Sequence, residues 1–152
     1  MLSSMVKGIP SLYSTVELFN KYQENTSQRE TLYNWSKHYK TTILLNGGVS
    51  SDLETLVEEF SERDNFYPWS YFREDESLGN LITAVSIVLP EKIYVTSQLF
   101  KTNNFEFDGM YIKCKDTSKV QEEDLELLVR YKSFNDFEQN LVYNLSKYRL
   151  AT

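Results

Sequence analysis

The chain carries one histidine, His38, and one cysteine, Cys114, in 152 residues. These two scarcities exclude whole classes of chemistry. A zinc finger, a Cys/His metal cluster or a disulfide framework needs several such side chains, so none can form within one chain. A mechanism that uses two imidazoles is excluded as well. Glycines number five and prolines three, and no Pro/Gly/Ser linker or low-complexity tract divides the sequence. No run approaches the roughly 18 apolar residues of a membrane span, and Met1–Pro10 lacks the apolar stretch of a signal peptide. Basic residues are outnumbered, 16 against 22 acidic, for a net charge of −6. Duplex nucleic acid is usually bound through many phosphate-neutralising lysines and arginines, so a general nucleic-acid binder is not expected. A small anionic ligand in a local basic pocket remains compatible.

What is present suits a folded core. Hydrophobic residues make up 41% and aromatics 14%, which places the chain outside the disordered class. The length fits a single domain, residues 1–152, burying roughly two-thirds of its unfolded surface. A lone free cysteine points to a reducing compartment, and the expected location is cytoplasmic. No metal and no cofactor is expected.

Ser11–Thr15, after Pro10, reads as a short strand. Val16–Lys37 is rich in helix formers, with Leu18, Tyr22, Leu32 and Trp35 as an apolar stripe broken near Asn25–Ser27. Thr41–Leu45 reads as a strand that stops at the Asn46-Gly47-Gly48 turn signal. Ser51 followed by Glu54 matches a capping box, and Leu53, Leu56, Val57 and Phe60 fall at helical spacing. Phe66–Phe72 is densely aromatic. Leu81–Leu89 has the length and β-branching of a buried strand, and Lys92–Thr96 reads as a resumed strand. In Phe105–Lys115 the Asp108-Gly109 pair marks a turn. After it Ile112 and Cys114 point one way, Tyr111, Lys113 and Lys115 the other. Glu122–Tyr131 reads as a helix presenting Leu125, Leu128 and Val129. Phe134–Tyr148 reads as another, presenting Phe134, Phe137, Leu141, Leu145 and Tyr148. The expected class is α+β, with helices covering a mixed sheet. A strand, a polar turn and a helix occur twice, at Thr41–Phe60 and Tyr111–Tyr131. That arrangement fits two pseudo-symmetric lobes, roughly 1–80 and 81–152, around a central cleft.

Five segments in order carry a resemblance to a known family. They are Ser11-Leu12-Tyr13-Ser14-Thr15, Lys40-Thr41-Thr42-Ile43-Leu44, Pro68-Trp69-Ser70-Tyr71-Phe72, Leu81–Pro90 and Tyr111-Ile112-Lys113-Cys114-Lys115. Together they resemble the two-histidine (2H) phosphodiesterases, and within them the phage anti-CBASS nucleases that destroy cyclic-oligonucleotide alarm signals. The resemblance implies a bilobal fold in which two strands each carry His-x-Thr into a cleft. One histidine takes the proton of the attacking hydroxyl, the other protonates the leaving oxygen, and no metal takes part.

Both catalytic positions depart from that pattern. The first aligns as Lys40-x-Thr42, without the histidine; the second aligns as Tyr111-x-Lys113, without either residue. Free Lys and Tyr titrate near pH 10, far from a general base at pH 7. The resemblance therefore leaves no catalytic residue and implies a ligand-binding set. Lys40 and Lys113 stand where the phosphodiester lies, Thr42 and Tyr111 offer hydroxyls, Tyr13 and Trp69 line the bases, and Glu138 reads an adenine edge. Each has a plainer alternative: solvated lysines, a packed aromatic core around Trp69 and Tyr13, a solvated helix face for Glu138.

The function expected from the resemblance is a phage-type immune-evasion protein. It binds a cyclic di- or trinucleotide messenger in the host cytoplasm and sequesters it as a sponge, without cleavage. An enzyme that cuts by a non-histidine acid–base pair is the second reading, and a protein-interaction module on the same fold is the third. No membrane and no duplex nucleic acid is an expected partner, and the oligomeric state is open.

Overall fold

A computed structural model describes residues 4–24, 26–102, 104–108 and 111–151. Among them, helices alternate with short strands that form two-stranded antiparallel sheets. The class is α+β, as expected, but in place of a mixed sheet the described strands pair only in twos, all antiparallel. The chain divides into two compact units, Met1–Val88 with Arg149–Thr152, and Leu89–Tyr148.

In the first unit, α1 (Ser4–Lys21) and α3 (Ser50–Phe60) pack on opposite faces of a sheet made by β2 (Trp69–Arg73) and β3 (Ile82–Ile87). The period of two in β2 sorts its side chains. Ser70 donates its hydroxyl to the Ser14 carbonyl of α1. Trp69 meets Phe60 of α3 edge-on, and Arg73 pairs with Glu54 of α3 at 3.0 Å.

The strand expected at Ser11–Thr15 is instead the middle of α1. The helix turns hydroxyls inward. Ser14 and Thr15 both donate to the Ser11 carbonyl, at 3.0 and 2.9 Å, so their polar groups are satisfied one turn back. Ser14 is fully buried and its hydroxyl also meets that of Ser86 on β3. Ile9, Leu12, Tyr13 and Val16 are left exposed.

The break near Asn25–Ser27 is present; Asn25 itself lies outside the described residues. The next helix, α2 (Ser27–Asn34), opens with Thr26, whose hydroxyl accepts from the Arg29 N–H. A π-helical turn follows at Trp35–Tyr39. Leu18, Leu32 and Val88 then form a buried cluster with Phe19, Tyr22 and Trp35 against it, matching the expected stripe.

The strand expected over Thr41–Leu45 is mostly absent. Lys40 takes a left-handed conformation, φ 51°, and its N–H closes the π turn onto the Trp35 carbonyl. The Trp35 indole in turn holds the Thr41 carbonyl at 3.0 Å. Only β1 (Leu45–Asn46) pairs, with β6 (Arg149–Leu150).

Helix α3 begins earlier than the Ser51–Glu54 box would place it. Its cap is Val49, whose N–H donates to the Asp52 carboxylate at 2.9 Å. Leu56 and Phe60 are buried, as their spacing indicates.

In the second unit, α4 (Glu91–Thr102) replaces the strand expected at Lys92–Thr96. Its inward positions are Ile93, Thr96, Ser97 and Phe100, at i, i+3, i+4 and i+7. Two of the four are hydroxylated and bond back to the Lys92 and Tyr94 carbonyls. The hairpin β4 (Phe105–Asp108) and β5 (Tyr111–Cys114) follows the predicted alternation, with Ile112 and Cys114 half-buried and Tyr111 and Lys113 exposed. The Gly109 of its expected turn lies outside the described residues.

Helix α5 (Glu122–Lys132) is capped by Asp124, which accepts the Gln121 N–H at 2.9 Å. Its inner face differs from the expected one: Leu127 and Tyr131 are buried, while Leu125 and Val129 are exposed. In α6 (Asp136–Lys147), Phe137, Leu141 and Leu145 are buried as expected, and Phe134 just ahead of it also is.

Candidate functional site

Of the residues singled out in the sequence, Tyr13, Lys40, Thr42 and Trp69 belong to the first unit, and Tyr111, Lys113 and Glu138 to the second.

Within the first unit they do not converge on one face. Tyr13 is half exposed at the edge of the α1–sheet contact, with its ring 4.8 Å from Phe72 on the α1 side of the sheet. Trp69 is on the α3 side. Lys40 and Thr42 are exposed on irregular backbone. They lack the i, i+2 strand geometry that would set them side by side.

In the second unit, Tyr111 and Lys113 do share the outer face of β5. Their cross-strand partners are Asp108 and Glu106, so acidic groups stand opposite both. Glu138 is half-buried in the first turn of α6, where its N–H donates to Asn135 at 2.8 Å. A carboxylate there also suits the positive end of the helix. His38 is exposed within the π-helical turn.

The densest arrangement gathers around Trp69. The Lys21 ammonium lies 3.6 Å from the Trp69 ring centre and donates to the Trp69 carbonyl at 3.0 Å. Burial lowers its pKa. Among the described residues no carboxylate is within ion-pair distance of it. Tyr71, next on the same face of β2, stacks beside Trp69 at 6.3 Å with 26° between the rings. The Arg73 guanidinium lies 5.8 Å from the Tyr71 ring. The result is a row of ring, ring and cation along one face of β2, with the Lys21 ammonium from the end of α1 over the first ring. Arg73 is already neutralised by Glu54 and also donates to the Asn80 carbonyl at 2.7 Å. Lys21 is therefore the charge available to an anion.

Tyr22 fixes the row at its base. Its hydroxyl donates to the Trp69 carbonyl at 3.3 Å and accepts from the Trp69 N–H at 3.1 Å. Burial raises its pKa, with the bond to Trp69 pulling the other way.

Chemically, two rings and an ammonium offer stacking and charge without a proton-transfer pair. Among the described residues no group of three His, Cys, Asp or Glu side chains is placed to hold a metal ion, and no helix is long and apolar enough to cross a membrane. Sequence reasoning found Trp69 but not Lys21, Tyr22 or Arg73. A lysine followed by a tyrosine at a helix end carries no local signal, and the contact spans 48 positions.

Comparison with protein-family models, with curated proteins and with solved structures returns no match.

Proposed function

We propose that the chain binds a small nucleotide of the cyclic second-messenger class and holds it without cleaving it. The observation that carries this is the Lys21 ammonium seated on Trp69, with no carboxylate partner among the described residues, and Tyr71 stacked alongside. A nucleobase arriving on the Trp69 face displaces the ammonium from the ring. An exposed cation–π contact contributes about 0.5–1 kcal/mol, whereas base stacking contributes about 1–3 kcal/mol, so the exchange favours the base. The displaced ammonium, on a four-carbon stem, is free to meet the phosphate of the same ligand.

The resemblance to the 2H phosphodiesterases supplies the ligand class, and the single imidazole supplies the lack of cleavage. General acid–base cleavage of a phosphodiester needs a base and an acid on opposite sides of the phosphorus. With one histidine, exposed in a π turn, that pair is missing. Sequestration of a nucleotide signal in an infected host is the role that fits such a binder.

The test is to incubate the protein with cyclic di- and trinucleotides, denature it with heat and identify what is released. Intact ligand is expected, with affinity falling about tenfold or more in Trp69→Ala. A linear product would overturn the reading in favour of an enzyme. No binding to any member of the panel would overturn it in favour of a protein-interaction module.

A further inference from the structure

The second unit carries a groove of about 320 Å³ whose lining combines aromatic rings with lysines. Phe107 and Tyr143 form its apolar wall, with ring centres 5.2 Å apart in an edge-on arrangement. Lys101, Lys115 and Lys147 also line it, from α4, from just past β5 and from the end of α6. Two of these cations are held by the fold. Lys101 donates to the Tyr148 carbonyl at 2.7 Å, and the Lys147 ammonium lies 3.9 Å from the Tyr143 ring centre. Among the described residues neither has a carboxylate within ion-pair distance. Glu106 is the acidic residue of the lining.

Three lysines around one concavity are notable in a chain with six more acidic than basic residues. Charges of one sign at a shared concavity repel one another, and a bound anion relieves that repulsion. Phosphate suits Lys101 and Lys147, because an ammonium is a compact point-charge donor. The rings set the other half of the ligand, a flat apolar body. Glu106 accepts hydrogen bonds, so it suits an exocyclic amine or a sugar hydroxyl on that body and opposes a second phosphate placed beside it. The volume is near the lower end for ligand pockets.

We propose that this groove is a separate binding site for a nucleoside monophosphate, with the phosphate between Lys101 and Lys147 and the base or sugar against Phe107 and Tyr143. It is built from residues of the second unit alone and does not depend on the function of the Trp69 row.

Titration calorimetry of the full chain with adenosine 5′-monophosphate, adenosine and inorganic phosphate tests it. The monophosphate is expected to bind at least tenfold more tightly than either fragment. Lys101→Gln and Lys147→Gln should each weaken it about three- to tenfold, and Tyr143→Leu should weaken adenosine as well. Lys119→Gln, which removes the same charge outside the groove, should leave it unchanged. Equal affinity for monophosphate and adenosine would overturn the proposal. Parental affinity in both lysine variants would do the same, as would loss of binding in Trp69→Ala alone. Unchanged circular dichroism and thermal midpoints in the variants keep the comparison about binding.

Discussion

Tyr22 shows how much one hydroxyl decides at the Trp69 row. It both donates to and accepts from the backbone of Trp69, at 3.3 and 3.1 Å, fixing where that residue enters β2. Removing the oxygen leaves the part-buried Trp69 N–H without its partner, while the Trp69 carbonyl keeps only the Lys21 ammonium. Tyr22→Phe should therefore cost about 1–2 kcal/mol in denaturant unfolding at pH 7. The same residue gives the loss a pH signature. Burial holds the folded phenol above its ordinary value, so the neutral form is the one the fold favours. Its contribution is complete below the unfolded value, near 10, and is lost as pH rises through the higher folded value. The gap between parent and Tyr22→Phe should thus narrow above about pH 10. A gap constant from pH 7 to 11 would contradict this role. Trp69 was legible in the sequence as part of an aromatic cluster. Lys21 and Tyr22 were not, because only the fold brings residues some 47 positions away onto it.

Two elements were misread for one physical reason. In α1 and α4 the inward positions include Ser14, Thr96 and Ser97, all fully buried. Each hydroxyl bonds a carbonyl three or four residues back, which removes the desolvation penalty that keeps such groups out of cores. Periodicity in apolar residues is blind to a helix whose inner face is hydroxylated, and in α1 it is misled further by Leu12 and Val16 facing outward. Where inner faces are apolar, as in α3 and α6, the same periodicity located the helix. The start of α3 is a different case, set by turn chemistry. Gly48 has φ +96°, and a Cβ there would stand 2.2 Å from the Asp52 carboxylate oxygen. That carboxylate caps Val49. Asp52→Ala should cost about 1 kcal/mol through loss of the cap. Gly48→Ala should cost about 1–2 kcal/mol, since it strains the backbone and pushes the same carboxylate aside. The double variant should lose less than the sum of the two, because both act through one group. Strict additivity in a thermal or urea denaturation cycle would show that Gly48 and the cap are independent.

At the scale of the whole molecule the fold class was legible, and the set of contacts that makes a site was not. The strand expected over Thr41–Leu45 rested on composition. It fails because a left-handed Lys40 and the Trp35 indole capture the backbone before pairing begins. The charge balance is the global property that sequence states completely, and it yields the last prediction. With 22 acidic and 16 basic residues, the chain as a whole repels a polyanion, and the cations of the two candidate sites are few. Lys21 stands alone at the Trp69 row, and Lys101 and Lys147 share one groove. A duplex binder that neutralises six phosphates loses roughly a thousandfold in affinity between 50 and 200 mM salt. A ligand held by one or two ammonium groups over aromatic rings should lose only about two- to fivefold across the same range, since stacking is insensitive to salt and few ions are released. Titrating a cyclic dinucleotide and a 20-base-pair duplex at both salt concentrations distinguishes the two regimes. Duplex binding that persists at 200 mM salt would mean that a continuous basic surface, and not these isolated cations, governs what the molecule recognises.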